Sequence, residues 1–354
     1  LPEPNRLSTP RQYFVKPTTA IEKELLAVWQ KILAVKRISI TDHFFDLGGH
    51  SLKAIQLLSR VNQQYSITLT IDDVIRYPSI QTFAERITQL QQIAHRVEKN
   101  KSARPKILQS PQDNAVLVPL KTNGHKTPLF LIHPIGGTVF CYLPLRNYFD
   151  QDRPLYGLQD PSITLGHPLF NSLEEMATHY LQVIQSIQPH GPYLLGGLSS
   201  GSTVSIEIAH QLAEQNEEAR FIGLFDGWSV YPKSIQTRPS LDESLRRHHD
   251  AWRKEFDLAS VADLEKLFEL QWQRLQLINH YQFKPIQQAL TLFKAKELLS
   301  FFEGITAPYN FWESYAEKPI TVYHIPGNHE SILQEPHIST WAHLLNDHLG
   351  IEQK

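Results

Sequence analysis

The run Gly197-Leu198-Ser199-Ser200-Gly201 is the part of this chain best suited to covalent chemistry. It fits G-x-S-x-G in one frame. It follows an apolar run at residues 193–196 and precedes a helical pattern carried by Val204, Ile208 and Leu212. Between a strand and a helix such a serine occupies a sharp, strained turn, and the glycines let that turn close against its neighbours. A bare G-x-S-x-G also arises as a plain turn; the strand–turn–helix setting favours a nucleophile. A serine needs a base, and the base needs an orienting acid. In the chain order serine, acid, histidine, Asp226 is the acid, at the end of the apolar run FIGLFD. His329 is the base, in IPGNHES just after the strand pattern ITVYHI. The chain has 17 histidines, so position is what selects this one. His324 falls within the strand and reads as packed, and His133 beside the HPIGGT loop reads as structural. An oxyanion needs two backbone N–H donors. Ser200, next to the nucleophile, supplies one by position. Ile135 in HPIGGT supplies the other, with Gly136 and Gly137 admitting the backbone.

A second serine stands in a different setting. The run FFDLGGHSL spans Phe44 to Leu52. Gly48 and Gly49 permit a tight turn, after which Ser51 falls at a predicted helix N-terminus. On the residues alone Ser51 reads first as an N-cap, a role in which serine is preferred. The competing reading is a modification site, because a phosphodiester there would meet free N–H groups and the positive end of the helix dipole. Cys141 has no base near it in sequence and reads as a small buried hydrophobe. His248-His249-Asp250 lies in the charged run LRRHHDAWRKE and reads as a solvated helix face. Trp252, Phe256, Trp272 and Leu275 recur at helical spacing, which fits a helix–helix core, with an acyl pocket as the alternative. No G-x-G-x-x-G or G-x-x-x-x-G-K-[ST] occurs, which argues against a reductive, nicotinamide-using site.

These two serines call for two scaffolds. Residues 1–18, rich in Pro and polar side chains, read as an upstream linker. Thr19 with Glu22 predicts a capping box, and Ile21, Leu25, Val28, Trp29 and Ile32 line one face of the helix that follows. A second helix is expected over 51–64 and a third begins near Ser79, giving a small all-α unit over 19–92. Residues 93–114 read as a polar linker. From 115 to 354, short apolar runs at 116–120, 128–133, 154–158, 193–196, 221–226 and 320–325 alternate with helical stretches at 172–187, 199–215 and 337–349. That alternation predicts a mostly parallel sheet flanked by helices. Residues 230–318 break it with helical patterns at 241–256, 262–281 and 285–302 and little strand signal before Thr291–Phe293, read as a helical insertion over the sheet.

Composition narrows the partners. Of 354 residues, 41% are apolar and 20% charged, which excludes a disordered or fibrous chain. The net charge of -2 offers no basic field to nucleic acid. A single cysteine excludes an intramolecular disulfide framework and a Cys-rich metal site, and no metal is expected. No apolar stretch is long enough to span a membrane and no signal segment is evident, so a cytoplasmic protein is expected. A first residue that is Leu rather than Met suggests a piece of something longer.

The run DHFFDLGGHSL resembles the carrier motif of peptidyl carrier domains in nonribosomal peptide synthetases. The resemblance implies a four-helix carrier bundle with 4′-phosphopantetheine covalently on Ser51, its thiol holding a growing peptide as a thioester. HPIGG, GGLSSG, the position of Asp226 and PGNHES resemble the type I thioesterase domain of such synthetases. That implies an α/β-hydrolase fold with a helical lid at about 230–318, and a triad of Ser199, Asp226 and His329. The family commonly has a second glycine after the motif; Ser202 stands there, and altered packing is the expectation. The implied function is release of a peptidyl thioester through an acyl-enzyme, by hydrolysis or macrocyclisation. The implied partners are upstream adenylation and condensation domains and a phosphopantetheinyl transferase. The alternatives are a carrier fused to an editing or general acyl esterase, and a non-catalytic docking domain.

Overall fold

Thr19 starts the first helix as its capping box requires: the Glu22 N–H donates to Thr19 Oγ1 at 3.2 Å, and the Thr19 N–H donates back to Glu22 Oε2 at 2.8 Å. In a computed structural model the chain is described over residues 14–49, 51–65, 67, 69, 71–99, 116–165, 168–231, 261–299 and 305–351. It divides into two units, Leu1–Pro105 and Lys106–Lys354. The first contains α1 (Ala20–Leu33), α2 (Ser51–Tyr65), α3 (Ile71–Arg76) and α4 (Ile80–Lys99). Leu25, Trp29, Ile32, Phe44, Leu57, Val61, Val74, Phe83 and Ile87 form its buried centre. Trp29 meets Phe44 edge-on at 5.0 Å between centroids, the arrangement favoured by ring quadrupoles. Two details differ from the sequence reading. The short α3 carries too little periodicity to announce itself. α4 continues through residues 92–99, where no Gly or Pro interrupts QIAHRVEK, so the polar composition there does not end the helix.

The second unit is built on a seven-stranded sheet. Its strands are β1 (Leu117–Lys121), β2 (Leu129–Ile132), β3 (Leu155–Leu158), β4 (Tyr193–Leu198), β5 (Ala219–Phe225), β6 (Thr291–Glu297) and β7 (Thr321–Asn328). They lie in the order β1-β3-β2-β4-β5-β6-β7. Only β1 runs antiparallel to its neighbour; all other pairs are parallel. The described α-helices are α5 (Ser162–Leu165), α6 (Leu173–Ile187), α7 (Gly201–Glu214), α8 (Val261–His280) and α9 (Ile338–Ile351). β2 and β4 are buried along their whole length, as parallel strands covered on both faces must be.

Over its described residues, 285–299, the pattern at 285–302 does not form a helix. Residues 291–297 are β6, paired in parallel with β5 and β7. The period of LTLFKAKELL suits a helix locally, but the two neighbouring strands outbid it. The expected insertion at 230–318 therefore holds a central sheet strand, and the stretch between β5 and β6 is what departs from the alternation. Its described helix is α8, close to the expected 262–281; the pattern at 241–256 and His248-His249-Asp250 lie outside the described residues. Among the residues of α8 whose burial is described, Leu270 and Arg274 are buried and Trp272 and Leu275 are half-buried. Trp252 and Phe256 are outside the described residues. His324 is exposed on the edge strand β7 and not packed. Among the described residues no helix is long and apolar enough to cross a membrane.

Candidate active site

Ser199 follows directly on β4 and takes φ 56°, the left-handed region that a side chain normally avoids. Such strain persists only where the surroundings enforce it. Here they do. The Ser199 N–H is tied to the Phe225 carbonyl at 2.9 Å. A Cβ on Gly197 would sit 2.3 Å from the Gly201 backbone, and one on Gly201 would sit 2.5 Å from the Ile132 carbonyl oxygen. Both glycines are therefore needed for space: the first closes β4 on α7, the second seats α7 on β2. Ser202 fits without cost to this turn. Its hydroxyl donates to the Gly197 carbonyl at 2.8 Å, in room left by the missing side chain of Gly227.

Asp226 ends β5 next door, also at positive φ, 47°. Its Oδ1 accepts the Ala295 N–H from β6 at 3.0 Å, and its Oδ2 pairs with His329 Nδ1 at 2.8 Å. His329 follows β7, so one acid–base pair spans from β5 to β7 with β6 between them. All three predicted side chains thus come from the carboxyl edge of one parallel sheet, where open α/β sheets carry their ligands. Ser199 and His329 are not hydrogen-bonded in this structure; nucleophile–base bonds are often long without substrate and tighten in the reacting complex. Burial pushes the nearby Tyr231 phenol up to about 12, with the Ser199 hydroxyl and the Trp228 backbone pulling it the other way.

The loop after β2 holds Ile135. The Pro134 carbonyl accepts the Gly137 N–H at 2.8 Å and His133 Nδ1 at 2.8 Å. His133 Nε2 in turn accepts from the Tyr180 hydroxyl at 2.7 Å. Burial pushes His133 down to about 4, so it stays neutral and its Nδ1–H is available to the loop. Among the described residues neither the Ile135 nor the Ser200 N–H donates to a protein acceptor. Tyr142 joins the two strands beneath: its hydroxyl donates to the Ile132 carbonyl at 2.6 Å and accepts the Leu198 N–H at 2.7 Å. Cys141 is half-buried, and burial pushes its thiol up to about 12, so no thiolate competes with the serine. Tyr142, Tyr180 and Tyr231 had no signal in the sequence, since each matters only through a partner distant along the chain or across the turn.

Ser51 belongs to the other unit and is the first residue of α2. Gly48 has φ 87°, with open space around it. Gly49 is there for space, since a Cβ would sit 2.3 Å from the Phe44 ring. The first turn of α2 contains no acidic residue, and Lys53 Nζ donates to the Gly48 carbonyl at 3.1 Å. A helix start without carboxylates and with a lysine beside it fits a phosphodiester.

Comparison with known proteins agrees with both halves. The family model described as Phosphopantetheine attachment site matches residues 23–87, and that described as Thioesterase domain matches residues 127–345. The chain is 37% identical over 229 residues to a dimodular nonribosomal peptide synthase of Bacillus subtilis (strain 168), covering 65% of this chain and 9% of that one. It is 28% identical over 340 residues to malpinin synthetase of Mortierella alpina, covering 93% of this chain and 4% of that one. The chain therefore spans less than a tenth of either relative. Its fold is like that of a four-domain nonribosomal peptide synthetase solved with AMP and glycine, with TM-score 0.59 and 24% identity over 97% of this chain and 27% of that one. A phosphopantetheine attachment domain is followed here by a thioesterase unit, and the chain belongs to the thioesterase domain family.

Proposed function

We propose that this chain is the carrier and releasing thioesterase of a nonribosomal peptide synthetase, with Ser51 bearing the 4′-phosphopantetheine and Ser199, Asp226 and His329 forming the catalytic triad. The observation that carries this reading is the 2.8 Å bond from His329 to Asp226 at the sheet edge that holds the strained Ser199. The arm supplies a thiol on which an acyl group is held as a thioester. With its Nδ1–H donating a hydrogen bond to Asp226, His329 has a lone pair on Nε2, which takes the Ser199 proton as Oγ attacks the thioester carbonyl. The Ile135 and Ser200 N–H groups hold the oxyanion. His329 Nε2–H returns the proton to the departing sulfur, leaving an ester on Ser199. A second nucleophile then enters: water releases a linear acid, and an amine or hydroxyl of the same peptide releases a ring. The partners on this reading are adenylation and condensation domains of the same synthetase and a phosphopantetheinyl transferase.

The test uses the whole chain and a synthetic peptidyl-pantetheine thioester. Intact-protein mass should show an acyl adduct on the native chain and none on Ser199→Ala, while Ser51 still accepts its arm in both. Release surviving in Ser199→Ala would overturn the triad. The product mass separates the two outcomes of release, since a ring is lighter than the linear acid by one water.

A further inference from the structure

Arg274 lies on α8, in the stretch between β5 and β6, yet it reaches the loop that carries Ile135. Its Nη1 donates to the Ile135 carbonyl at 3.0 Å, and its Nε donates to Asp160 Oδ2. Asp160 is held from its other side by the Ser162 N–H, 2.8 Å from Oδ1, while the Asp160 N–H donates to the Gly137 carbonyl at 2.9 Å. The guanidinium lies against Gly137, where a Cβ would sit 2.6 Å from Arg274 Cζ. Arg274 is 5% exposed and Asp160 3%. Burial alone would raise the Asp160 carboxyl; the Arg274 charge and the two hydrogen bonds outweigh it and hold it below the usual carboxylate range.

A buried ion pair is a costly way to fill space, and well-packed apolar side chains of equal volume serve stability as well or better. What they could not supply is the directed bond to Ile135. A peptide is planar, so holding one end of it aims the other. The Pro134 carbonyl, held by Gly137 and His133, orients the peptide whose N–H belongs to Ile135. The Ile135 carbonyl, held by Arg274, orients the next one. Both planes on either side of the Ile135 Cα are thereby fixed, and so is the direction of its N–H.

We propose that Arg274 is a positioning residue for the oxyanion hole, holding the Ile135 amide in place from α8 and making transition-state stabilisation depend on the seating of that helix. The inference rests on the thioesterase reading with Ile135 as a donor. It predicts a loss in the transition state and not in substrate binding. The experiment compares the whole native chain with Arg274→Met and Arg274→Lys on a soluble acyl-cysteamine thioester. Rates are normalised to Ser199 titrated with a fluorophosphonate. Two inhibitors bearing the same acyl group report the two states: a boronic acid, whose tetrahedral adduct places an oxygen in the hole, and an unreactive amide. Loss of a donor itself costs about 100- to 1,000-fold, so mispositioning one should lower kcat by about 10- to 100-fold with KM within about twofold. Boronate affinity should fall by the same factor as kcat/KM, with amide affinity within about twofold. Arg274→Lys keeps a charge beside Asp160 but cannot bond both partners as the planar fork does, so it should fold if Arg274→Met does not and still lose kcat. Unchanged kcat and boronate affinity in folded Arg274→Lys, or equal losses for boronate and amide, would overturn the inference. A native chain that neither turns over the thioester nor binds the boronate would instead overturn the thioesterase reading itself.

Discussion

The two serines of this chain sit in turns that look alike in sequence and differ in where the strain falls. In the carrier unit the left-handed residue is Gly48, at φ 87°, and Ser51 is an ordinary helical residue. In the hydrolase unit the left-handed residue is Ser199 itself, at φ 56°, and Gly197 and Gly201 serve only to make room. On the proposed reading, the first arrangement suits a serine that another enzyme modifies. The second holds a serine against its preference, with its N–H tied to β5 and its neighbours Asp226 and His329 already bonded. A serine that must react repeatedly needs that pre-organisation; a serine that is modified once does not.

The largest effect should come from crowding the strained turn. Gly201→Ala would drive a methyl into the Ile132 carbonyl, and neither α7 nor β2 can yield without moving Ser199. A displacement of about 1 Å at a reacting atom costs about 100-fold, so fluorophosphonate labelling of Ser199 should slow by at least about that factor. Loading of Ser51 should not change. Normal labelling would show that the elbow tolerates slack and would weaken the comparison at its base.

Acid should separate the units next. In the hydrolase unit His133 is neutral because burial pushes it down to about 4, whereas an unfolded histidine titrates near about 6.5. A base with a depressed folded value contributes stability that is full above about 6.5 and is lost as pH falls toward about 4, on the order of 3 kcal/mol in all. The carrier depends on Glu22. Burial would raise that carboxyl, but the Thr18 and Thr19 bonds outweigh it and lower it below its usual 4.5, so its contribution persists until pH falls below that range. Hydrogen exchange followed peptide by peptide at pH 7.5 and 5.5 should show the hydrolase core losing protection and the carrier core keeping it. The hydrolase slope should flatten in His133→Asn. Equal losses in both units would assign the acid response to something common to the chain.

Gly49→Ala tests the carrier side of the same contrast. The added methyl meets the Phe44 ring at 2.3 Å and the Phe44 carbonyl at 2.5 Å. Overpacking of this kind costs about 1–3 kcal/mol, so the carrier midpoint and the rate of Ser51 loading should fall. Turnover of a soluble thioester, which bypasses Ser51, should hold. If it drops as well, the two units are not independent in stability.

Much of this was legible in the sequence, for a steric reason. G-x-S-x-G and DLGGHS both carry glycines that a crowded or left-handed turn needs, so they mark place as well as chemistry. Asp226 and His329 were legible from chain order and from the ends of apolar runs. β6 showed only as a short strand signal at Thr291–Phe293: LTLFKAKELL satisfies a helical period, and β5 and β7 on either side make residues 291–297 a strand. Arg274 was hidden for the same kind of reason. Its partner Asp160 lies 114 residues away, and no local pattern announces a buried guanidinium. Tyr142 and Tyr180 likewise act across the fold, 56 residues from Leu198 and 47 from His133. Local crowding writes itself into local sequence; contacts between distant elements do not.

The smallest effect is also the sharpest form of the comparison, because it asks for a sign. Alanine and glycine both remove the hydroxyl, so the difference between them isolates the backbone. At Ser199 the left-handed conformation costs an L-residue about 1–2 kcal/mol, and glycine escapes it. Ser199→Gly should therefore leave the hydrolase unit more stable than Ser199→Ala by about 1 kcal/mol. At Ser51, the first residue of α2, glycine has more freedom to lose and alanine is the better helix former. Ser51→Gly should therefore leave the carrier less stable than Ser51→Ala, by up to about 1 kcal/mol. Four urea melts, with the hydrolase unit and the carrier unit each followed by exchange of their own core peptides, decide the matter. Opposite signs would place the strain on the nucleophile at one site and on the glycine at the other. The same sign at both would mean that the φ of Ser199 is not held against resistance, and that the serine's readiness has to come from Asp226 and His329 alone.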